Sequence, residues 1–121
     1  MYSIYYSDES CLTKETTFRD GSWIDMFDPT EEEIGLVSKE LDIPMDFLTA
    51  ALDEEERARV EAEDGKTLVI LDVAIVEPDN SGNFIYSTVP LAIIACPQHM
   101  VTVCLKKNRV IQDFVSNRIK T

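Results

Sequence analysis

Three long apolar segments in the second half of the chain place the strongest constraint on its fold. The first, TLVILDVAIV from Thr67 to Val76, is almost continuously apolar, as expected of a central strand covered on both faces. The polar, turn-forming residues 77–83 separate it from a second strand, Phe84 to Ala95, in which Pro90 predicts a bulge or an unpaired position. After a short turn, Met100 to Leu105 is predicted to form a hairpin with this second strand.

The N-terminal part of the chain favours shorter strands. Met1 to Tyr6 is aromatic and β-branched, and Cys11 to Phe18 alternates in character with several threonines, so these two segments predict a first strand pair. Trp23 to Met26 predicts another short strand before the chain breaks at Asp28 and Pro29.

Helical patterns follow this N-terminal part. Thr30 and Glu33 have the spacing of a capping box, in which each side chain accepts a hydrogen bond from the other residue's backbone N–H. The apolar face of the predicted helix consists of Ile34, Val37 and Leu41. Pro44 suits the first turn of a second short helix. The predicted buried face of that helix consists of Phe47, Leu48, Ala51 and Leu52.

Helical spacing returns at the C-terminal end of the chain. The apolar residues that carry it are Val110, Ile111, Phe114, Val115 and Ile119. Neither Gly nor Pro stops this helix before Thr121, and we therefore expect the natural protein to continue.

A charged block, LDEEERARVEAED from Leu52 to Asp64, leads from the second helix into the sheet. From Arg57 to Glu63 the apolar residues fall on every second position, which is the period of a half-buried strand. Ala58, Val60 and Ala62 are therefore predicted to pack inward, while the charged residues between them face solvent.

The formal net charge of −12 is concentrated in one half of the chain. Residues 1–64 hold 19 Asp and Glu against 5 Lys and Arg, a net charge of −14, whereas residues 65–121 hold 4 against 6, a net charge of +2. Such a field attracts cations or basic partners and repels phosphate backbones, which argues against a nucleic-acid ligand. A solvated acidic face that keeps the protein soluble explains the same charge without a partner.

The three cysteines do not indicate a disulfide framework or a zinc site. Cys11, Cys96 and Cys104 form an odd set without a CxxC pair, and no signal peptide precedes them, so a reducing cytosolic setting with free thiols is expected. The spacing of Cys96, His99 and Cys104 matches no familiar zinc site.

Signatures of enzymes and of membrane spans are missing from the sequence. The four glycines are too dispersed for a phosphate-binding loop, and the single His leaves little room for a catalytic triad. The longest uninterrupted apolar run, Leu91 to Cys96, is far shorter than the ~20 residues that a spanning helix needs. We therefore expect neither an active site nor a membrane span within this chain.

The acidic run Asp53-Glu54-Glu55-Glu56 is the remaining candidate for chemistry. Hard cations such as Mg²⁺ prefer carboxylate oxygens and keep most of their waters, so this run can hold one loosely. It lacks the regular ligand spacing of a dedicated cation-binding loop, and from the residues alone a solvated acidic surface is the simpler interpretation.

Several segments, taken in order, resemble one known family. They are SWIDMFDPTEEEIGLVSKELDI, ALDEEERARVE, STVPLAIIA and MVTVCL, followed by a helix. Together they resemble the N-terminal cytoplasmic domain of CorA-type magnesium transporters. In that family a Trp-Ile-Asn/Asp step precedes a capped helix, and the matching residues here are Trp23, Ile24 and Asp25. A second helix then runs into an Arg-x-Arg/Lys-hydrophobic-Glu strand, matched by Arg57, Arg59, Val60 and Glu61.

The resemblance runs from about Trp23 to the end of the chain and implies an α/β fold. The implied fold is a mixed, largely antiparallel β-sheet covered by α-helices, with residues 1–121 forming a single domain that ends before a stalk helix. In the complete protein the resemblance implies two membrane helices, a Gly-Met-Asn motif and a homopentamer in the cell membrane. The present chain is then a soluble, cytoplasmic, non-enzymatic fragment, either a monomer or a weak oligomer.

The resemblance also implies a regulatory function, in which acids at subunit contacts bind cytosolic Mg²⁺, or Co²⁺ or another divalent cation, and favour a closed pore. Ala50 stands where assigned family members carry an acid. Either the sensing contact has moved, with Asp53 and Glu54 as our choice of metal ligands, or this protein is regulated differently. Two other hypotheses remain open: a free-standing acidic α/β module that binds a protein partner, and a small enzyme completed across a dimer interface.

Overall fold

A seven-stranded sheet with helices packed against it is formed by residues 1–8 and 11–115, the part of the chain that this computed structural model describes. The strands are β1 (Tyr2–Asp8), β2 (Cys11–Glu15), β3 (Ser22–Phe27), β4 (Arg59–Glu63), β5 (Lys66–Pro78), β6 (Phe84–Ala95) and β7 (His99–Cys104). The helices are α1 (Glu31–Leu41), α2 (Met45–Thr49), a 3₁₀ helix (Ala50–Leu52) and α3 (Arg109–Val115). The predicted continuation of the last helix to Ile119 lies outside the described residues.

The sheet is mixed and largely antiparallel, which confirms the predicted fold class. Its strand order is β2-β1-β3-β7-β6-β5-β4. Five of the six neighbouring pairs are antiparallel, including the predicted hairpin of β6 with β7, and the pair of β3 with β7 is parallel. Two antiparallel half-sheets are therefore joined by one parallel seam.

The two faces of the sheet have different coverings. Side chains alternate between the faces along each strand. We call the first face the side that bears Ile4, Ile24, Leu68, Ile94 and Val101, and these residues form one core with α1, α2 and the 3₁₀ helix. The second face bears Val73, Ile75, Val89, Leu91 and Cys104, with Ile111 of α3 packed against them.

Helix α1 begins at the predicted capping box. The hydroxyl of Thr30 accepts a hydrogen bond from the Glu33 backbone N–H at 3.2 Å, and the Glu33 carboxylate accepts one from the Thr30 N–H at 2.9 Å. The same carboxylate lies 2.7 Å from the α-ammonium group of Met1. Desolvation raises the pKa of Glu33, but these hydrogen bonds and the ammonium charge outweigh it, and the net pKa is lowered. The cap therefore also ties the N-terminus to α1.

The prediction that Thr67 to Val76 is covered on both faces is wrong for the second half of that segment. The side chains of Leu71 and Val76 are 43 % and 52 % exposed. Pairing with β4 ends at Ile70, beyond which β5 and β6 continue as a hairpin. The burial in β5 accordingly shifts from the first face to the second along the strand.

Pro90 causes no bulge between β5 and β6. The register runs without interruption through the pair Asp72 and Pro90. On the other side of β6, pairing with β7 begins only at Leu91, so Pro90 lies just beyond the last position at which a backbone N–H is needed. The predicted unpaired position is therefore confirmed on that side, and the bulge is not.

The inward packing predicted for Ala58, Val60 and Ala62 is also wrong. All three residues are exposed, and the Val60 side chain keeps 68 % of its accessible surface. The strand begins at Arg59 and forms an edge of the sheet, and its Val60 pairs with Val69 on the second face. The described helices do not cover the second face at this point.

A buried hydrogen-bond chain joins the two strands of the parallel seam. The indole Nε1–H of Trp23 donates to Thr102 Oγ1 at 2.9 Å, and the Thr102 hydroxyl donates to Asp25 Oδ1 at 2.8 Å. Burial raises the pKa of Asp25, and the hydrogen bond from Thr102 only partly opposes this rise. Asp25 is thus held in place on the second face at a cost to its ionised form.

Paired valine substitutions test which strands are covered. Replacing Val101, which is fully buried, by Thr should lower the free energy of unfolding by about 1–3 kcal/mol, because a hydroxyl enters the core. The same substitution at Val60 should change it by less than about 0.5 kcal/mol. Urea unfolding followed by circular dichroism measures both values, and equal losses would mean that β4 packs inward after all.

The pH dependence of stability tests the environment of Asp25. Because its folded-state pKa is raised, ionised Asp25 destabilises the folded chain at a pH above that pKa, and the penalty disappears as the pH falls below about 4, the unfolded value. Asp25→Asn should therefore stabilise the chain by about 1 kcal/mol near pH 7 and have little effect near pH 3. Chemical unfolding at both pH values measures the difference.

Asp79 is a control for Asp25, because its pKa is shifted in the opposite direction. Its carboxylate accepts hydrogen bonds from the Ser81 hydroxyl and from the backbone N–H groups of Ser81 and Asn83, and these bonds lower its pKa. Its stabilising contribution is present above the unfolded pKa and is lost as the pH falls through the lower folded value. Asp79→Asn should not stabilise the chain near neutral pH, and the same gain in both variants would contradict our assignment for Asp25.

Candidate functional site

The predicted metal ligands Asp53 and Glu54 lie in an exposed turn directly after the 3₁₀ helix. Asp53 Oδ1 accepts a hydrogen bond from the backbone N–H of Glu55 at 2.9 Å, and the Asp53 carbonyl accepts one from the N–H of Glu56 at 3.0 Å. The acidic run therefore closes a turn with its own backbone before the chain enters β4.

Arg59 partly neutralises the charged block. Its guanidinium is ion-paired with Glu56 and, at 2.9 Å, with Glu61. The hydrogen bond to Glu61, with the further contribution of Glu56, raises the pKa of Arg59. Two of the carboxylates in the block are thus engaged with an arginine, while Asp53 and Glu54 point to solvent.

Glu54 also lies within the electrostatic reach of a lysine. The Lys106 ammonium is 2.8 Å from the Glu77 carboxylate, and this hydrogen bond is the main cause of its raised pKa. The charge of Glu54 contributes to the same rise. A cation near Glu54 would therefore have Lys106 as a neighbour of like charge.

Within residues 1–8 and 11–115, no three Asp, Glu, His or Cys side chains come together closely enough to hold a metal ion. The metal-binding role of Asp53 and Glu54 therefore remains a prediction. Ala50, at the position expected to carry an acid, is only 7 % exposed and belongs to the first-face core. A carboxylate at this position would be directed toward apolar neighbours in the present packing.

The cysteines with described side chains are free thiols. Cys104 is buried and its thiol donates to the Pro90 carbonyl at 3.4 Å, whereas Cys96 is half-buried. Burial raises the pKa of both thiols, which favours the inert protonated form. His99 and Cys104 lie at opposite ends of β7 and thus cannot share a zinc ion.

A cleft that sequence reasoning did not identify lies on the second face, between α3 and the strands β1 and β3. Its volume is about 320 Å³. Most of its wall is apolar, and its polar groups include Asp25 of β3 and, in the segment before α3, Lys106 and Lys107. The Lys107 ammonium lies 5.4 Å from the centre of the Phe27 ring. The residues that line the cleft come from the N-terminal segment, β3 and α3, so no single sequence segment indicates this cleft.

None of the helices in the described part of the chain is long and apolar enough to cross a membrane.

Comparison with known proteins finds relatives among cation transporters. The sequence model of the family described as CorA-like Mg²⁺ transporter protein matches residues 19–120. The cobalt/magnesium transport protein CorA of Methanocaldococcus jannaschii is 39 % identical over 57 residues, which are 47 % of this chain and 18 % of that protein.

Solved structures show the same fold. The soluble domain of CorA from M. jannaschii has a TM-score of 0.74 and 26 % identity, and the match covers 99 % of this chain and 49 % of that domain. The cytoplasmic domain of ZntB from Vibrio parahaemolyticus has a TM-score of 0.70 at 15 % identity, with 92 % of this chain and 46 % of that domain covered. The chain thus spans about half the length of these soluble domains, and it covers 36 % of the complete CorA structure from M. jannaschii. Because the family model covers most of its length, the chain belongs to the CorA-like Mg²⁺ transporter family.

Proposed function

We propose that this chain is the N-terminal part of the cytoplasmic domain of a divalent-cation transporter, and that it senses cytosolic Mg²⁺ to regulate the pore. The family match over residues 19–120 is the observation that carries the proposal. The sheet and its helices, which align over 99 % of this chain with the soluble domain of a CorA, support it. Membership among transporter domains also favours a non-enzymatic role.

The charge distribution supports cation sensing. The 19 acidic residues among residues 1–64 give that half a net charge of −14. Like charges that approach one another across a subunit contact repel, and a divalent cation between them stabilises the contact. Asp53 and Glu54 are exposed in a turn on which a second surface can close, and they are our proposed ligands. The ion is Mg²⁺ or, as the name of the M. jannaschii relative indicates for that protein, Co²⁺.

The remainder of the protein follows from the same proposal. A stalk helix, two membrane helices and the Gly-Met-Asn motif would come after this chain, and five copies would surround the pore on the cytoplasmic side of the cell membrane. The coding sequence downstream of Thr121 tests this directly. Two apolar runs of about 20 residues with Gly-Met-Asn near the first are expected, and a reading frame that stops without them would overturn the proposal.

The alternative, a free-standing module that binds a protein partner, is favoured by one observation. Val76, Phe84 and Tyr86 project from the β5–β6 hairpin and are 52 %, 66 % and 78 % exposed. Exposed apolar patches of this kind mark contact surfaces. The same downstream sequence separates the two functions, since a module needs no membrane spans.

Titration with Mg²⁺ tests the sensing function. We expect saturable binding at roughly millimolar concentration, because carboxylates hold Mg²⁺ loosely when it keeps its waters. The double variant Asp53→Asn, Glu54→Gln should weaken this binding at least several-fold. Calorimetry measures the heat, and analytical ultracentrifugation follows the association state in the same titration.

A matched control separates ligation from general charge. Glu31→Gln, Glu32→Gln removes the same two charges from another exposed acidic site, the first turn of α1. If Asp53 and Glu54 are ligands, this control retains the affinity of the unmodified chain. An equal loss of Mg²⁺ affinity in both double variants would mean that net charge, not ligation by Asp53 and Glu54, causes the loss. The absence of any saturable Mg²⁺ binding would refute the sensing function.

A further inference from the structure

Two buried polar atoms at one end of the parallel seam have no hydrogen-bond partner among the described residues. They are Ser22 Oγ and His99 Nε2. Ser22 is only 1 % exposed and is the first residue of β3, and His99 is the first residue of β7. The two residues are paired across the seam and therefore lie side by side. Because buried polar side chains are normally hydrogen-bonded, two such atoms on neighbouring strands point to a shared ligand.

Cys96 lies beside His99 on the same face of the sheet. The Cys96 backbone N–H donates to the His99 carbonyl at 2.9 Å, so the two residues close the turn between β6 and β7. Two positions farther along the hairpin, Ile94 pairs with Val101 in the first-face core. Side chains alternate between the faces, so Cys96 and His99 share the first face with this pair. The Cβ atoms of residues that are opposite in this way are about 5 Å apart.

We propose that Cys96 and His99 bind a Zn²⁺ ion at this end of the seam, and that the Ser22 hydroxyl holds a water molecule on the ion. Imidazole nitrogen and thiolate sulfur are ligands that Zn²⁺ prefers, whereas Mg²⁺ prefers oxygen. Zn²⁺ bonds to sulfur at about 2.3 Å and to imidazole nitrogen at about 2.0 Å, so two neighbouring side chains can converge on one ion. The site is separate from Asp53 and Glu54 and does not require the proposed function.

Lys66 affects the charge balance of the site. Burial raises the pKa of the Cys96 thiol, and the positive charge of Lys66 opposes this rise. Lys66 thus favours the thiolate, which is the form that binds a metal ion. The same charge repels a cation, but the Lys66 ammonium lies 3.7 Å from the Asp42 carboxylate and 3.5 Å from the Asp64 carbonyl oxygen. These two oxygens offset part of the repulsion.

The turn between β6 and β7 gives an ion access to the site. Pro97 and Gln98 are exposed, and Cys96 and His99 on either side of them are half-buried. The turn is also fixed to the strand across the seam, because the Gly21 backbone N–H donates to the Gln98 carbonyl at 2.6 Å. An ion can therefore enter from solvent at a turn whose position is already set.

Titration with Zn²⁺ tests the site. The chain carries no histidine tag, is kept reduced by a phosphine, and is titrated in an excess of Mg²⁺ that occupies the carboxylates of the acidic surface. We expect saturable binding of one Zn²⁺ ion per chain. Loss of a group that only supports a ligand weakens metal binding by roughly 10–100-fold, so Cys96→Ser and His99→Gln should each weaken it by at least about tenfold. Calorimetry measures the affinity, and circular dichroism checks that each variant is folded.

Co²⁺ is a spectroscopic probe of the sulfur ligand. A thiolate bound to Co²⁺ gives a charge-transfer absorption in the near ultraviolet that carboxylate ligands do not give. This absorption should appear in the unmodified chain and disappear in Cys96→Ser. The matched control Cys11→Ser makes the same replacement in β2, and it should retain the absorption. Ser22→Ala should also retain it and weaken binding only several-fold, because the hydroxyl holds a water molecule and not the ion.

Several results would overturn the inference. They are the absence of saturable Zn²⁺ binding in excess Mg²⁺, a Co²⁺ complex without the sulfur absorption, an absorption that Cys11→Ser removes, and an unchanged affinity in Cys96→Ser or His99→Gln. Without Zn²⁺ binding, a buried water molecule alone would satisfy the two polar atoms. The Mg²⁺ titration of the Asp53 and Glu54 variants is independent of these results, so a failure of this site is distinguishable from a failure of the proposed function.

Discussion

The parallel pairing of β3 with β7 is the contact on which the rest of this fold depends. It joins the half-sheet β2-β1-β3 to β7-β6-β5-β4 through residues almost 80 positions apart, such as Trp23 and Thr102, whose separation is 79. On the first face the seam is closed by Ile24 and Val101, both 0 % exposed. Parallel neighbours need a long connection, and here α1, α2 and three strands all lie within it. The first-face core under α1, α2 and the 3₁₀ helix contains residues of both half-sheets, so it is complete only when this seam forms.

Local patterns predicted local structure in this chain because the causes are local. Thr30 and Glu33 satisfy each other's backbone N–H groups wherever the helix lies, and turn residues set the β6–β7 hairpin. Whether a strand side chain is buried depends instead on elements that are distant in the sequence. Whether Val60 is buried depends on what lies over the second face, which a period of two residues cannot specify. Val73 and Ile75 are buried in the cluster against which Ile111 of α3 packs, whereas Leu71 and Val76 in the same strand are exposed, and the strand's own composition does not encode where a helix covers it.

The candidate site could likewise be predicted only in its local features. Asp25 belongs to the Trp-Ile-Asp step of the sequence, but only the register with Thr102 and the position of α3 place it in the wall of a cleft. Asp53 and Glu54 were chosen through the family resemblance, as acids near Ala50, and the structure places them in an exposed turn. Under the proposed function, a cation site around them would be completed by a second surface. A single sequence contains no periodicity or capping signal for such a surface.

An ion regulates a protein only through a difference in its affinity for two packings. Carboxylates whose coordination was complete within one chain would bind the ion in both packings and shift neither. Asp53 and Glu54 are exposed in a turn and, under the proposed function, face another subunit, whereas Glu56 and Glu61 are already paired with Arg59. By reciprocity, an ion that binds more tightly when the surfaces meet favours their meeting by the same factor. Under the proposed function, weak binding to the isolated chain and strong dependence on assembly are therefore two consequences of one arrangement.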